Sequence, residues 1–227
     1  MRMVRTTRLR TGIAALTIGI AAMCIASCGS ERETKVLNYH NELFGENVYI
    51  FSPEDDPAEI NQILDDIYDR QEENQFGRER YAFCFMPGVY DESIEVNVGY
   101  YTQVAGLGEL PTDTRIPSLQ CTATWLGDDP NNHNACCNFW RGVENIEIGS
   151  NTMWAVSQAT FMRRTQIDGA LYLHDNYGWC SGGFLADVNT ELMTDSGSQQ
   201  QWLSRNCNWK TWMGSNWNMV FVGIEED

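Results

Sequence analysis

From residue 81 onward the chain consists of short runs of β-forming residues, and no later segment has the spacing of an amphipathic helix. Gly, Asn, Asp, Ser and Pro separate these runs, as at Pro87-Gly88, and such residues favour turns. The runs cover residues 81–86, 94–98, 101–104, 146–148, 170–173, 183–188, 201–205 and 219–224. Short strands broken by turn residues predict a mostly β domain.

Before these runs, one segment has the pattern of an amphipathic helix. Asp56 suits the N-cap, Pro57 suits the first turn, and Glu59 lies three residues after the cap. Apolar residues then recur with helical spacing at positions 60, 63, 64, 67 and 68. The sequence therefore predicts a helix over residues 57–73, preceded by a short strand at 47–51.

The spacing of large apolar residues favours one of two β architectures. Trp154 and Tyr172 are 18 positions apart. The same step separates Leu185 from Leu203, and Leu203 from Phe221. A nearly constant step of this length indicates the stacked coils of a solenoid. A β-sandwich, in which strands recur at roughly 8–12 residues, is the alternative.

Two short motifs follow the predicted helix. The run at 81–86 is followed by PG-x-Y, from Pro87 to Tyr90, and the next strand leads to a G-x-G turn, from Gly106 to Gly108. The segments NFWRGVENIEI, MWAVSQATFMRR and SGGFLADV lie farther along the chain. In this order they resemble secreted bacterial β-helix proteins of the pectin-lyase-like superfamily. The resemblance implies a right-handed parallel β-helix with an N-terminal capping α-helix, and it implies little about activity.

Some proteins of that group carry labels that refer to coagulation factor 5/8 or to adenylyl cyclase. Neither label fits this sequence, in which we find no cyclase metal-binding pattern. The G-x-G turn also lacks the third glycine and the following helix of a dinucleotide site.

The N-terminal residues have the pattern of a bacterial lipoprotein signal. Four arginines in residues 1–10 precede a short apolar segment, and the sequence IASC, ending at Cys28, resembles a lipobox. The pattern predicts a signal peptide over 1–27 and lipidation of Cys28. The protein would then be a membrane-anchored exported lipoprotein, periplasmic or on the cell surface. An ordinary cleaved signal peptide is the alternative.

We expect the mature chain to have two parts, a flexible tether over 28–46 and a β-helix domain over 47–227. The last predicted strand ends at Ile224, three residues before the end of the sequence. A short form of the fold and a C-terminally truncated reading frame both stay open. In either case we expect an exposed strand edge at that end, with a tendency to aggregate or dimerise.

Charge limits the partners of this chain. The sequence carries 31 acidic and 15 basic residues, a net charge of −16, and only 11 of the basic residues follow Cys28. Without the signal peptide the net charge is therefore −20. Such a surface repels polyanions, which excludes nucleic acid and disfavours pectin-like acidic polymers.

Six cysteines follow Cys28, and an exported protein meets an oxidising compartment. Disulfides are therefore expected, although the sequence does not choose among the pairings. Zinc is the weaker alternative, since no C-x-x-C is present and the histidines are scattered. The cysteines are Cys84, Cys121, Cys136, Cys137, Cys180 and Cys207.

All eight tryptophans lie between residues 125 and 217. Indole faces pack against the C–H faces of sugars, and neighbouring asparagines supply hydrogen bonds. A polysaccharide is therefore the expected partner, and packing in the core is the alternative for any single ring. The expected substrate-binding residues are Trp179, Trp202, Trp209, Trp212 and Trp217.

Asp187 and Asp175 are the carboxylates that we assign to catalysis, Asp187 as the general acid and Asp175 as the base. Glycoside hydrolysis uses two carboxyl groups, one to protonate the leaving oxygen and one as base or nucleophile. Both acids belong to a stretch, 172–187, that also contains Tyr177 and Trp179. A solvated turn residue is the alternative for each acid.

No cofactor is expected, with one alternative. The loop around Asp128 and Asp129 is rich in oxygen ligands, but it lacks EF-hand spacing, which favours a plain acidic turn over a calcium site.

Three functions stay open on the sequence. The first is a surface-anchored glycoside hydrolase that acts on a neutral polysaccharide. The second is a polysaccharide lyase, which needs a basic groove and is disfavoured by the acidic charge. The third is a non-catalytic glycan-binding or adhesive β-helix, which needs the aromatic rings but no carboxylate pair.

Overall fold

The computed structural model describes residues 44–127, 129, 131–214 and 217–226. Over these residues the protein is a right-handed parallel β-helix of about seven coils with one α-helix, as predicted. Cys28, most of the predicted tether and Asp128 lie outside the described residues. In the described part of the chain, no helix has both the length and the apolarity that a membrane span requires.

The helix and the strands follow one another as expected from the turn residues between them. In chain order the elements are β1 (Val48–Phe51), α1 (Pro57–Gln71), β2 (Tyr81–Phe85), β3 (Gly88–Val89), β4 (Glu95–Asn97), β5 (Thr102–Gly106), β6 (Thr114–Ile116), β7 (Ser118–Cys121), β8 (Arg141–Ile148), β9 (Thr152–Trp154), β10 (Thr160–Ile167), β11 (Leu171–Tyr172), β12 (Phe184–Thr190), β13 (Met193–Asp195), β14 (Gln201–Arg205), β15 (Asn208–Trp209), β16 (Thr211–Met213), β17 (Asn218–Val222) and β18 (Glu225–Glu226).

The strands form two parallel sheets. Within the described residues the long sheet has twelve strands, with β1, β2, β5, β8, β10, β12, β14 and β17 as neighbours in that order and β3, β6, β15 and β18 beside this path. The short sheet has six strands, in the order β4, β7, β9, β11, β13 and β16. The core lies inside the coils, where the inward side chains of successive strands stack.

The chain forms stacked coils, as the spacing predicted, but the residues that pair between coils differ from those that a step of 18 aligns. Phe184 pairs with Leu203, 19 positions away, and Leu203 pairs with Val220, 17 positions away. As a result Leu185 is buried, whereas Leu203 lies on the outer face. The turns between coils differ in length, and a slip of one residue moves a side chain to the other face of a strand.

The helix begins where the sequence predicts and ends two residues earlier. The Asp56 carboxylate accepts a hydrogen bond from the Ala58 N–H at 2.9 Å, and Pro57 occupies the first turn. Both features satisfy or remove backbone donors that a helix start leaves unpaired.

α1 packs against β4, the first strand of the short sheet, and so covers the N-terminal end of the coils, as predicted. Asn61 connects the two elements, since its Nδ2 donates to the Ser93 carbonyl at 2.7 Å and its Oδ1 accepts from the Glu95 N–H at 3.1 Å. The apolar stripe joins the core through Ile60, Leu64 and Ile67.

A column of residues with left-handed backbone angles marks a bend in successive coils of the long sheet. Positive φ occurs at Asn145, Arg164, Asp187, Asn206 and Gly223. The pairing of their neighbours places these residues one above another. Side chains connect the column, because Asn206 Nδ2 donates to Asp187 Oδ1 at 3.1 Å and Arg164 Nη2 donates to Asn145 Oδ1 at 3.2 Å. The bend interrupts the alternation of inward and outward side chains in each strand.

The six cysteines that follow Cys28 are free thiols in the described structure, so the expected disulfides are not formed there. Cys121, Cys180 and Cys207 are buried, and burial raises the pKa of the Cys180 thiol to about 12. Desolvation also raises the pKa of Cys121 and of Cys207. Buried thiols of this kind pack as small apolar side chains.

Alkylation measures the state of these thiols. In the native protein at mildly alkaline pH, we expect iodoacetamide to leave Cys121, Cys180 and Cys207 unmodified, because burial limits access and favours the neutral thiol. After unfolding without reductant, all six cysteines of the β-helix should be modified, as located by peptide mass mapping. A cysteine that becomes reactive only after reduction would reveal a disulfide and contradict the structure.

Candidate functional site

Two loops meet around a cleft of about 430 Å³, which we call the loop cleft. One loop connects β7 to β8, and the other connects β11 to β12. The cleft is lined by Asp129, Asn131, Asn132, His133, Asn134, Asn176, Tyr177, Gly178 and Trp179. Tyr177 is 64% exposed and Trp179 is 62% exposed. The lining therefore combines two accessible aromatic rings with several side-chain amides.

Local hydrogen bonds shape the first of these loops. Asn132 Oδ1 accepts from the Asn134 N–H at 3.2 Å, and Asn134 Oδ1 accepts from the Cys136 N–H at 2.9 Å. Asn132 Nδ2 also donates to the Leu126 carbonyl at 2.6 Å. Asparagine favours such turns because its side chain bonds to the backbone a few residues away.

Close backbone contact holds the two loops together. The Ala135 N–H donates to the Trp179 carbonyl at 2.8 Å. At Gly178, a Cβ would lie 1.8 Å from the carbonyl oxygen of His133, so this position accepts only glycine without rearrangement. Trp179 is thus presented from a loop whose neighbour fixes its backbone.

Behind the cleft, His133 forms a close pair with Asp175. His133 Nδ1 lies 2.8 Å from Asp175 Oδ1, and Asp175 Oδ2 accepts from the Ala123 N–H at 3.0 Å. The Asp175 side chain is buried, whereas the His133 side chain is about one-fifth exposed. Nδ1 is buried beside the carboxylate, and His133 as a whole is among the residues that line the cleft.

A second histidine and carboxylate lie beneath Tyr177. His174 Nε2 is 3.4 Å from Asp195 Oδ2, and His174 Nδ1 accepts from the Tyr177 N–H at 2.9 Å. The Tyr177 hydroxyl donates to Asp195 Oδ2 at 3.1 Å, and the imidazole and phenol rings stack with centroids 4.3 Å apart. The hydrogen bond to the Asp195 carboxylate, with its negative charge, raises the pKa of Tyr177. These contacts fix the orientation of an exposed ring.

The chemistry available in the loop cleft is the recognition of a neutral, hydroxyl-rich ligand. Its rings offer faces for C–H groups, and its amides offer both donors and acceptors. Asp175 has one oxygen next to His133 and the other on a backbone N–H, so its contacts are those of a group that positions the imidazole.

Asp187, the other expected catalytic carboxylate, lies elsewhere on the β-helix. Leu185 points inward, and simple alternation would turn Asp187 inward as well. The left-handed φ of 56° at Asp187 turns its side chain outward instead. There it is exposed, with Arg205 Nη2 at 3.3 Å and Asn206 Nδ2 at 3.1 Å. The contacts of Asp187 and those of Asp175 have no residue in common.

The five expected substrate-binding tryptophans fall into three classes. Trp179 and Trp217 are exposed, and Trp212 is half-buried against the core. Trp202 and Trp209 are buried within the core, 3% and 1% exposed. Their faces contact protein, so the stacking role expected of these two rings is corrected to a packing role.

Sequence reasoning found part of the loop cleft and missed the rest. It selected the stretch that contains Asp175, Tyr177 and Trp179, but it did not connect His133 with it. The signal was the asparagine-rich sequence around His133, which was interpreted as an acidic turn or a calcium loop. Asp129 Oδ1 accepts from the Asn131 N–H at 2.9 Å, as in a turn, and Asp128 lies outside the described residues. Among the described residues no group of three or more His, Cys, Asp or Glu is arranged to hold a metal ion.

Comparison with known proteins gives one sequence relative and two structures. No protein-family model matches the chain. An exo-β-1,3-glucanase from Streptomyces sp. strain SirexAA-E / ActE is 40% identical over 186 residues, which are 80% of this chain and 29% of that protein. The structure of sacteLam55A from Streptomyces sp. SirexAA-E matches with a TM-score of 0.74 at 39% identity, over 81% of this chain and 33% of that one. A variant of sacteLam55A in complex with glucose matches with a TM-score of 0.73 at 40% identity, over 80% and 32%.

The chain spans about a third of the length of the proteins that it matches. The likeness extends over four-fifths of this chain and includes its β-solenoid fold. In the second of these structures the related protein holds glucose. Within that span, this chain is similar to part of an exo-β-1,3-glucanase.

Proposed function

We propose that this chain serves the hydrolysis of a neutral β-glucan, with β-1,3-linked glucose as the first substrate to test. The observation that carries the proposal is the 40% identity over 186 residues to an exo-β-1,3-glucanase. The rings and amides of the loop cleft support it, and the acidic charge of the chain disfavours a polyanionic substrate.

In this proposal the loop cleft holds the glucan. Trp179 and Tyr177 stack on the C–H faces of glucose units, and Asn176 bonds to hydroxyl groups beside them. His133 offers its imidazole to a sugar hydroxyl, while Asp175, whose carboxylate lies 2.8 Å from Nδ1, holds the ring in position. Each role uses a group that lines the cleft or contacts such a group.

The assignment of Asp187 as general acid and Asp175 as base stays a prediction. It requires both groups to reach one glycosidic bond, with carboxyls roughly 5–10 Å apart. The variant Asp187→Asn tests it, because the amide preserves the size of the side chain and its bond to Asn206 while removing the acid. Loss of turnover with retained glucan binding is the result that this assignment predicts, and full activity would end it.

A second candidate function is glucan binding without cleavage. The observation that favours it is that two carboxylates near the cleft are engaged, since Asp175 contacts His133 and Ala123, and Asp195 contacts Tyr177 and Gly197. A protein of this kind would hold the polymer for chemistry carried out by other groups.

One set of assays separates these functions. Purified protein is incubated with β-1,3-glucan, β-1,4-glucan and a polyuronate, and reducing ends, unsaturated products and binding are measured in parallel. Reducing ends from β-1,3-glucan support hydrolysis, binding alone supports the second candidate, and unsaturated products from the polyuronate indicate a lyase. A parallel series with a calcium chelator tests the alternative of a calcium site at Asp128 and Asp129, since we expect activity without added metal.

We further propose that lipidation of Cys28 anchors the protein to a membrane, where a surface-bound or periplasmic enzyme would meet its polymer. The support is the lipobox-like sequence IASC after a basic N-terminal segment.

Replacement of Cys28 by alanine is expected to release the protein from the membrane fraction, because the acyl chains that supply the binding energy are no longer attached. Fractionation of cells followed by immunoblotting measures the effect, with Cys24→Ala as the matched control. A Cys28→Ala protein that still fractionates with the membrane would contradict the anchor.

A further inference from the structure

The outer face of the long sheet carries a continuous row of residues at one register. The strand pairings align them coil by coil, with a step between neighbouring strands of about 4.8 Å. Phe161, Phe184, Leu203 and Val220 form a continuous apolar stretch of the row, and Phe161 lies over Gly142 so closely that a Cβ there would be 2.3 Å from its ring. The full row is Val48, Ala82, Gln103, Gly142, Phe161, Phe184, Leu203 and Val220.

Two depressions lie along this row, with volumes of about 410 and 440 Å³. Both are lined by Ala159, so they form one surface that crosses the coils from β1 to β17, and we call it the strand groove. Trp140 is the most accessible of its aromatic rings, at 54% exposed, whereas Tyr81 and Trp202 are buried at its floor; the other rings are Tyr101, Phe161 and Phe184.

The strand groove differs from the rest of the protein in charge. The chain has 31 acidic residues, yet no Asp or Glu is among the described residues that line the groove. The charged side chains that line it are Arg80, which lies 3.6 Å over the Tyr101 ring, and Arg141, which is buried. The hydroxyls of threonine and tyrosine and several side-chain amides supply the other hydrogen-bonding groups; the amides are Asn47, Gln103, Gln158, Gln201 and Asn218. Gln103 Nε2 donates to Glu144 beside the groove at 2.6 Å, and Gln201 Nε2 donates to the Ser181 carbonyl at 3.2 Å.

We propose that the strand groove is a second binding site, for a linear neutral glycan. Rings beside amides, with no acid, suit a ligand that has apolar C–H faces and many hydroxyl groups but no charge. The step of about 4.8 Å between coils is comparable with one sugar unit along an extended chain, so successive units would lie over successive strands.

The absence of a carboxyl group from the lining separates this groove from a cleavage site, since glycoside hydrolysis requires carboxyl groups at the bond. Its role is to hold a polymer that the loop cleft also contacts. Two linked contacts with one polymer raise the overall affinity, so a long chain is expected to bind more tightly than a short one. The choice of a glycan as the ligand rests on the proposed function, whereas the existence of the groove is inferred from the residues that line it.

The test compares Trp140→Asn with Trp179→Ala, one exposed tryptophan from each site. Asparagine suits position 140, where φ is 54°, better than alanine does. We expect Trp140→Asn to weaken binding of polymeric β-1,3-glucan by about ten-fold, as one of two linked contacts is lost. Binding of a short β-1,3-oligosaccharide in the loop cleft should stay unchanged, and the thermal midpoint should stay within about 2 °C.

Unchanged polymer affinity in Trp140→Asn would overturn the proposal. So would a change in sedimentation coefficient without a change in glucan affinity, because it would identify the groove as a contact between protein copies. If the wild-type protein binds no β-1,3-glucan, the proposed function fails, and a panel of other neutral polymers then tests the groove. Binding to one of them that Trp140→Asn weakens supports the groove, and binding to none overturns it.

Discussion

Replacing Leu64 by alanine is expected to lower the free energy of unfolding by about 2–5 kcal/mol. Leu64 is 1% exposed and lies on the buried face of α1, between Ile60 and Ile67. Its removal leaves a cavity at the place where the helix covers the first strand of the short sheet. The surrounding structure relaxes only partly around such a cavity. The free energy of unfolding therefore falls both because apolar surface is no longer buried and because packing contacts are lost.

Urea denaturation followed by circular dichroism measures this effect, and Leu192→Ala is the matched control. Leu192 is 48% exposed in the turn between β12 and β13, so its truncation should change stability by no more than about 0.5 kcal/mol. Equal losses in the two variants would show that α1 does not contribute to the core as described.

Replacing Trp179 by alanine is expected to weaken binding of a short β-1,3-glucan oligosaccharide by about ten-fold or more, which corresponds to about 1.4 kcal/mol. The ring is exposed on a loop that is held by the Ala135–Trp179 backbone bond and by the contact of Gly178 with His133. A ring already held in place loses little freedom when a sugar stacks on it, so most of its contact energy counts toward affinity.

Isothermal titration calorimetry measures the change, with Trp217→Ala as a comparison. Trp217 is also exposed but does not line the loop cleft. Equal affinity of Trp179→Ala and the wild-type protein for the oligosaccharide would show that the loop cleft is not its binding site. A loss of oligosaccharide affinity in Trp217→Ala alone would place the sugar at Trp217 and not in the loop cleft.

Local signals in the sequence predicted the elements that depend on neighbouring residues. The cap at Asp56, the stripe that includes Leu64 and the turn residues between β-runs are all read within a few positions. The β-helix followed from the repeated spacing, although the step of 18 aligned Leu185 with Leu203, whereas the structure pairs Leu203 with Phe184. Membership of the pectin-lyase-like superfamily, which rested on the motifs after the helix, stays a prediction.

The remaining features depend on contacts that only the folded coils create. His133 and Asp175 are 42 positions apart, and they meet because two loops of different coils lie side by side. The outward direction of Asp187 depends on a left-handed residue that alternation alone does not include. Trp202 and Trp209 look the same in the sequence as Trp179, and only the position of each in its coil decides which ring is buried.

Hydrogen–deuterium exchange with and without a β-1,3-glucan oligosaccharide tests the central claim most directly, since it reports where the sugar touches the chain. The account predicts slower exchange at residues 131–134 and 176–179, and loss of that protection in Trp179→Ala. Unchanged exchange in both segments, at an oligosaccharide concentration that saturates binding in a parallel titration, would contradict it.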